Sequence, residues 1–323
     1  MKTTSSKTRF LKALNHEKPD RPPFNFWMDR PLMQKYEKEI GHRHWRVTHF
    51  GADVIETFPL INFTGEIADI TSWGAFSKIK SWDELDNISI PDPDDPKIYE
   101  LIKKDLNEFP NHAVILDMIT PWGHIASVRS YEKIYMDMYD EPERFHALSR
   151  KITDLLKIVT ERACKMGITA LYLMEDLADR NGLTISPSMI NQFVLPYANE
   201  LAEIARKYNV PVMFHSDGNV NDLLDHLIKI GVCAVNPMQP HLNDAAQFKN
   251  KYGNKLAVYG GLDNCYIIPD GTAEEVREHV LDVFNALGKS DGALIFSTHD
   301  IPEYTPKENI EALISTIKNE CFY

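Results

Sequence analysis

The feature of this chain that most constrains its fold is an alternation of short apolar runs with helical patterns. The runs are nearly continuous in apolar character, as expected of parallel strands that are covered on both faces. Eight runs are present: FNFW (24–27), ADVIET (52–57), AVILDM (113–118), ALYLME (170–175), VPVMFH (210–215), CAVNPM (233–238), KLAVYG (255–260) and ALIFST (293–298). Eight strands alternating with helices predict a (β/α)8 TIM barrel. The alternative is a doubly wound open sheet, but the glycine-rich turn expected after its early strand is absent from this sequence.

One stretch interrupts the alternation. Residues 60–96 contain INFTGEIADI, WGAFSKIKSW and the proline-rich PDPDDP, and we expect them to form a hairpin inserted in the second βα loop. Trp73, Trp82 and the PDPDDP run are expected to cover the barrel mouth or to form a homodimer contact. Later helical patterns span residues 142–166, 187–208, 220–230, 243–250, 273–288 and 307–319. We therefore predict a single barrel domain, residues 1–323, with one excursion.

Composition restricts the partners and the compartment. The formal net charge of −12 argues against nucleic acid, because phosphate binding needs a basic surface. No apolar stretch approaches the roughly 20 residues that cross a bilayer, and the N-terminal MKTTSSKTRFLKAL lacks the apolar region of a signal peptide. The four cysteines show no CxxC spacing and fit a reducing environment. We expect a cytoplasmic protein without membrane or nucleic-acid partners.

The working residues of a βα barrel lie at the C-terminal ends of its strands. Applied to this chain, that rule selects Trp27, Asp29, Glu56, Asp117, Glu175, Asp176, His215, Asp217, Met238, Gln239, Gly261, Asp263, His299 and Asp300. Convergent acids repel one another unless they bind protons, a cation or a cationic substrate. The alternative for Asp176 and Asp217 is that each caps the helix that follows.

The stretch MFHSDGNV (213–220) carries the sharpest signal. His215 and Asp217 stand two positions apart, so both side chains lie on the same side of an extended chain. Together with His299 they form a candidate site of two histidines and one carboxylate, a donor set that suits zinc or iron. The alternative for each histidine alone is a hydrogen bond to a neighbouring loop.

The order of these segments resembles the uroporphyrinogen decarboxylase superfamily, which also contains cobalamin-dependent methyltransferases acting on methanol, methylamines and aryl methyl ethers. The similar segments are RFLKALNHEKPDRPPFNFW (9–27), GLTISPSMINQFVLPYANEL (182–201), VPVMFHSDGNV (210–220), NPMQP (236–240), VYGGLDN (258–264) and IFSTHDIPEYTPKENI (295–310). They are spread over nearly the whole chain. The resemblance implies a uroporphyrinogen decarboxylase-like TIM barrel, in agreement with the strand count.

Two features decide which branch the chain resembles more closely: the stretch after the first strand and the set of matching zinc-ligand positions. Decarboxylases of this superfamily carry an Arg-Gln-Ala-Gly-Arg run after the first strand, which binds substrate carboxylates, whereas FWMDRPLMQKY (26–36) has only Arg30 there. The methyltransferases hold zinc with a His-x-Cys pair and a later cysteine. The matching positions here are His215, Asp217 and His299, so harder ligands replace both thiolates. The resemblance is therefore closer to the methyltransferase branch, without the ligand set that activates a thiol acceptor.

The resemblance implies a demethylating methyltransferase, which moves a methyl group between a small O- or N-methylated substrate and a corrinoid held by a partner protein. His215, Asp217 and His299 would bind one divalent metal, zinc first. The expected catalytic residues are Glu175, Asp176, Asp217 and Asp263. The expected substrate contacts are Trp27, Arg30, Asp117, Asn219, Gln239 and Asp300. Two alternatives stay open: a decarboxylase of porphyrin biosynthesis, and a non-catalytic barrel that binds a ligand or corrinoid.

Overall fold

The computed structural model describes residues 4–61, 63 and 81–323. Its strands are β1 Val54–Thr57, β2 Ala113–Ile119, β3 Ala170–Met174, β4 Ala178–Asp179, β5 Gly182–Leu183, β6 Val212–His215, β7 Val232–Asn236, β8 Ala257–Gly261 and β9 Leu294–Ser297. Its α-helices are α1 Ser6–Leu14, α2 Arg30–Ile40, α3 Trp45–Thr48, α4 Trp82–Asp86, α5 Glu100–Glu108, α6 Pro121–Arg129, α7 Tyr131–Asp140, α8 Pro142–Met166, α9 Pro187–Phe193, α10 Leu195–Lys207, α11 Leu224–Lys229, α12 Ala245–Tyr252, α13 Ile267–Asp270, α14 Ala273–Val283 and α15 Lys307–Asn319. A 3-10 turn covers Pro96–Tyr99, and a π-helical turn covers Phe284–Gly288.

Seven parallel strands form a curled sheet in the order β1-β2-β3-β6-β7-β8-β9. The extended segment before α2 closes the ring between its two edges. The N–H of Asn25 donates to the carbonyl of Phe296 in β9 at 3.0 Å, and the N–H of Asp53, just before β1, donates to the carbonyl of Phe24 at 2.9 Å. The fold is therefore the predicted (β/α)8 TIM barrel, and the open-sheet alternative is excluded.

The apolar character of the strands follows from burial on both faces. All five residues of β3 are buried, because helices cover the outside of the sheet while side chains fill its interior. Inside the barrel, Ile115, Tyr172 and Tyr259 belong to one apolar cluster together with Phe10 of α1. The N–H of Lys7 in α1 donates to the carbonyl of Asn111, just before β2, so this helix covers the N-terminal end of the barrel. The opposite end, where the strands finish, stays available for a site.

Helix boundaries follow proline and glycine. Helix α8 begins with Pro142 and ends at Met166, and it is followed by Gly167, whose φ of +100° favours glycine. The single helix expected over residues 187–208 is two helices that meet at Val194. Pro196 explains the break, because it has no N–H to continue the hydrogen-bond ladder of α9. Among the described residues, no helix combines the length and apolar character that crossing a bilayer demands.

The hairpin expected within residues 60–96 includes residue 62 and residues 64–80, which lie outside the described residues, as does Trp73. From Ser81 onward the chain forms α4 and then the turn Pro96–Tyr99. The side chain of Trp82 is too buried to form a dimer contact, and the prediction that it covers the barrel mouth stays a prediction. Trp82 is only 5% exposed and packs edge-on against Phe145 of α8, with ring centroids 6.4 Å apart.

Candidate active site

The C-terminal ends of β6 and β9 bring the three predicted metal ligands together. His215 ends β6, Asp217 begins the following turn, and His299 lies in the loop after β9. Nε2 of His299 is 3.1 Å from Oδ2 of Asp217, and one ligand atom of each residue lies within 4.8 Å of the other two. Oδ1 of Asp217 is buried and has no hydrogen-bond partner in the described part of the chain. Two imidazoles and one carboxylate at this spacing fit a divalent metal ion.

Asn236, at the end of β7, fixes the tautomer of His215. Its Nδ2 donates to the carbonyl of Tyr259 at 2.6 Å, which directs Oδ1 toward His215. Nδ1–H of His215 donates to this oxygen at 2.7 Å, and the hydroxyl of Tyr172 donates to it at 2.6 Å. The network thus places the proton on Nδ1 and leaves the lone pair of Nε2 for the site, as metal ligation requires.

Trp27 forms an aromatic wall beside the histidines. Its ring is stacked on His215, with centroids 5.9 Å apart and an interplanar angle of 9°, and the ring of His299 lies 6.2 Å away. Nε1 of Trp27 donates to Oε1 of Glu56 at 2.6 Å. Glu56 also pairs with Arg46 at 3.5 Å. The indole is therefore held from its polar edge while its face lines the site.

The turn after Asp217 depends on glycine. Gly218 has a φ of +89°, and a Cβ there would lie 2.5 Å from the carbonyl oxygen of Asp179 in the β4–β5 hairpin. The same oxygen accepts the N–H of Asn219 at 2.8 Å, and the N–H of Gly218 donates to Oε1 of Gln239 at 2.9 Å. Close approach of the two chain segments holds Asp217 in place, and a side chain at position 218 would push them apart.

Glu175 is fully buried directly after β3. Its Oε1 accepts hydrogen bonds from the hydroxyl of Thr120 and from the N–H of Gly123. Its Oε2 is buried and has no hydrogen-bond partner in the described part of the chain. Burial raises the pKa of this carboxyl from an ordinary 4.5 to about 8. Glu175 therefore keeps its proton near neutral pH and can act as an acid.

Two further groups face the same region. Oδ1 of Asp176 is 3.7 Å from Nε2 of His215 and accepts the N–H of Asp217 at 3.2 Å. The hydroxyl of Tyr131, in α7, is buried without a hydrogen-bond partner among the described residues. Burial, and then the charges of Asp176 and Glu175, raise the pKa of Tyr131, so its phenol stays protonated and can donate.

Two other predicted substrate contacts are acids with raised pKa values. Burial and then the charge of Glu56 raise the pKa of Asp117, in β2, whose Oδ1 is buried and unpartnered in the described structure. Burial also raises the pKa of Asp300. The charge of His299 lowers this pKa, and the charge of Asp217 raises it. Asp300 adds to an acidic mouth, whereas Asp117 lies within β2 near Glu56. At both places protons or a cation would relieve the repulsion.

The remaining predicted residues have structural contacts. Oδ1 of Asn219 accepts from the side-chain amide of Asn221 at 2.7 Å, and Gln239 holds the turn at Gly218 as described. Arg30 is exposed at the start of α2. Substrate contacts by Asn219, Gln239 and Arg30 therefore stay predictions.

Asp263 lies in the loop after β8. Its Oδ1 accepts the N–H groups of Cys265 at 2.8 Å and Tyr266 at 2.9 Å. Its carboxylate forms a cluster with His241 and Cys265, and not with the two histidines of the first site. A catalytic role for Asp263 stays a prediction, and the loop contacts favour a structural one.

Sequence reasoning missed Asn236, Tyr172, Thr120 and Tyr131. Asn236 lies within the run CAVNPM and ends β7, so it could have been selected by the same strand-end rule as His215. Tyr172 is an inward polar group in the middle of a strand that otherwise reads as apolar. Thr120 and Tyr131 lie at helix starts, and only the folded chain brings them to the strand ends.

This chain is similar to proteins of one enzyme family. The family model for uroporphyrinogen decarboxylase (URO-D) matches residues 74–320. The uroporphyrinogen decarboxylase of Coxiella burnetii is 27% identical over 186 residues, which are 56% of this chain and 49% of that protein. The methylated-thiol–coenzyme M methyltransferase of Methanosarcina mazei is 26% identical over 226 residues, 68% of this chain and 56% of that protein. The chain thus spans about half the length of these relatives.

Solved structures share the architecture. A methyltransferase from Methanosarcina mazei superimposes with a TM-score of 0.74 at 16% identity, covering 97% of this chain and 98% of that one. A B12-independent methionine synthase from Shewanella sp. W3-18-1 gives a TM-score of 0.53 at 10% identity, covering 93% of each chain. At such identities the likeness shows the barrel fold.

Proposed function

Because this chain belongs to the uroporphyrinogen decarboxylase family, we propose that it is a methyltransferase of that family. It would move a methyl group between a small O- or N-methylated substrate and a corrinoid protein. The observation that carries the proposal is the grouping of His215, Asp217 and His299 within 4.8 Å at the barrel mouth. A relative that bears the name of a methyltransferase supports methyl transfer as a reaction of this family.

His215 and His299 would supply nitrogen ligands, and Asp217 an oxygen ligand, to one divalent ion, zinc first. The unpartnered Oδ1 of Asp217 and the Nε2 lone pair of His215 fit this assignment. When bound, such an ion acts as a Lewis acid toward an oxygen or nitrogen of the substrate. The set contains no thiolate, which favours O- or N-methylated substrates over thiols.

The other residues would orient the substrate and move one proton. Trp27 would exclude water from one side, and Asp176 would hold the backbone of Asp217. During transfer the bond between the methyl carbon and the oxygen or nitrogen breaks, and its electron pair stays on the heteroatom. Glu175 would then give its proton to that atom, a role that its raised pKa supports.

The site is open toward the side from which a partner would approach. The side chains of His299 and Asp217 are 26% and 33% exposed at the barrel mouth. A partner protein docked over this mouth would present its corrinoid, the methyl acceptor, to the substrate. We propose in addition that the chain forms a homodimer. The assay described below identifies the methyl donor.

The names of several relatives favour a second candidate, a uroporphyrinogen decarboxylase. Its substrate carries carboxylates, which cationic side chains would have to bind. The mouth instead holds Asp176, Asp217 and Asp300, and Arg46 is paired with Glu56. These charges favour methyl transfer over this candidate.

The test is methyl transfer by the full chain. Zinc-loaded protein is incubated without oxygen with reduced cobalamin and, in turn, methanol, trimethylamine or 2-methoxyphenol, and methylcobalamin is followed by absorbance. We expect turnover with one donor class, and a loss on the order of a hundredfold for Glu175→Gln. Glu132→Gln, an exposed acid of α7, is the control and should keep the wild-type rate.

Two outcomes would overturn the proposal. One is carbon dioxide release from uroporphyrinogen together with no methylcobalamin from any donor, which would establish the decarboxylase. The other is binding of a donor or of cobalamin with no turnover in either assay, which would establish a non-catalytic barrel.

A further inference from the structure

A second group of ligand-type side chains lies at the barrel mouth, outside the site described above. His241 lies in the loop after β7, and Asp263 and Cys265 lie in the loop after β8. One ligand atom of each lies within 4.8 Å of the other two. We propose that these residues form a second metal site, for zinc or another divalent ion that accepts nitrogen, oxygen and sulfur ligands.

The loop after β8 is ordered in a way that presents two of these ligands. Oδ1 of Asp263 accepts the N–H groups of Cys265 and Tyr266, which leaves Oδ2 to bind an ion. The N–H of Asp263 donates to Nε2 of His279 in α14 at 2.9 Å, and this anchors the loop to a helix. A carboxylate and a thiol are therefore held on one short turn before any metal arrives, which lowers the cost of binding.

The third ligand completes the set from the neighbouring loop. His241 is exposed, and its ring contacts Tyr266 edge-on with centroids 5.6 Å apart. Cys265 is partly buried, and the carboxylates of Asp263 and Asp217 lie near its thiol. Negative groups around the thiol favour a cation, and the exposed imidazole leaves a path for the ion from solvent.

The two loops that carry the second site also touch the first site. Gln239, two residues before His241, accepts the N–H of Gly218 next to Asp217 at 2.9 Å. Asn264, between Asp263 and Cys265, donates to the carbonyl of Asp300 next to His299 at 2.9 Å. An ion that joins these loops would restrain the backbone on both sides of the first ligand set, so the second site would also strengthen metal binding at the first.

The experiment uses the full chain, stripped of metal by a chelator and titrated with Co²⁺ and, separately, Zn²⁺. Only the second site contains a cysteine, so a thiolate-to-cobalt charge-transfer band reports on it alone. We expect this band in the wild type and in His215→Ala, and its loss in Cys265→Ser and in His241→Gln. We also expect two zinc equivalents in the wild type, from the two ligand groups, and one fewer in each variant. Cys164→Ser and His226→Ala change a thiol and an imidazole elsewhere and serve as controls.

The outcomes separate this inference from the proposed function. A wild type whose single zinc is lost in His215→Ala but kept in Cys265→Ser overturns the second site and leaves the proposed function intact. A single zinc lost only in Cys265→Ser and His241→Gln supports the second site and contradicts the metal assignment of the first. A charge-transfer band that persists in Cys265→Ser also overturns the inference.

Discussion

The amide oxygen of Asn236 lies 2.7 Å from Nδ1 of His215, and this contact decides which nitrogen of the histidine faces the site. The amide cannot flip without losing the 2.6 Å bond from its Nδ2 to the carbonyl of Tyr259. Asn236 therefore positions a ligand without contacting the metal or substrate. Such outer partners govern metal affinity because they set both the tautomer and the orientation of the imidazole.

Replacing Asn236 tests this relationship. In Asn236→Ala the imidazole of His215 loses its partner and gains rotational freedom, so the zinc affinity of the first site should fall by about 10- to 100-fold. Competition with a chromophoric chelator in a Cys265→Ser background measures the first site alone. Asn254→Ala, at an exposed position after α12, is the control. Equal affinities in the two variants would show that the tautomer contact is irrelevant to binding.

A pair of glycine substitutions tests the turn after Asp217. Gly218 and Gly41 have φ values of +89° and +74°. A Cβ at Gly218 would clash with the backbone of Asp179, whereas a Cβ at Gly41 would have no atom within 4 Å. Both alanine variants should lose about 1–3 kcal/mol of unfolding free energy from backbone strain. Only Gly218→Ala should also lose metal affinity and methyl transfer. If both variants keep the wild-type metal affinity, close packing of this turn does not hold Asp217.

The fold was largely predictable because proline, glycine and apolar periodicity report on local structure. The bounds of α8 and α15 coincide with the sequence prediction, and the barrel follows from the alternation of strands and helices. The break at Val194 was missed because the apolar stripe continues across it. Only the missing N–H of Pro196 separates the two helices.

The site was predictable only where side chains follow strand ends. His215 and Asp217 share a side of the chain because they stand two positions apart, and the barrel then brings His299 to them. Tyr131 could not be predicted, because it reaches the site from a helix start. The unusual environment of Glu175 depends on Thr120 and Gly123, which are distant in sequence.

The raised pKa of Glu175 predicts a pH-dependent stability. The folded state holds the proton up to about pH 8, whereas the unfolded chain releases it near 4.5. The folded state thus binds more protons between these values, and wild-type stability should decline across this window by about 1.4 kcal/mol per pH unit at most. Glu175→Gln lacks this proton, so its stability relative to wild type should rise up to about pH 8 and then level off. Denaturant unfolding across the range measures the difference, and a difference that stays constant with pH would contradict the assigned pKa.

The same proton predicts the pH dependence of the reaction. If Glu175 is the acid, the wild-type rate of methyl transfer should fall as pH rises through about 8, because the deprotonated carboxylate has no proton to give. The residual rate of Glu175→Gln should show no such decline. A wild-type rate that is flat through this range would remove Glu175 from the acid role.

The most direct test of the account is methyl transfer by His215→Ala compared with wild type and with His226→Ala, a histidine of α11 outside the site. Each protein is assayed at equal concentration with reduced cobalamin and the donor that the wild type uses. We expect His226→Ala to keep the wild-type rate of methylcobalamin formation. His215→Ala loses a ligand and the stacking partner of Trp27, so we expect its rate to fall by on the order of a hundredfold or more. Equal rates in all three proteins would contradict the claim that the His215, Asp217 and His299 site carries the reaction.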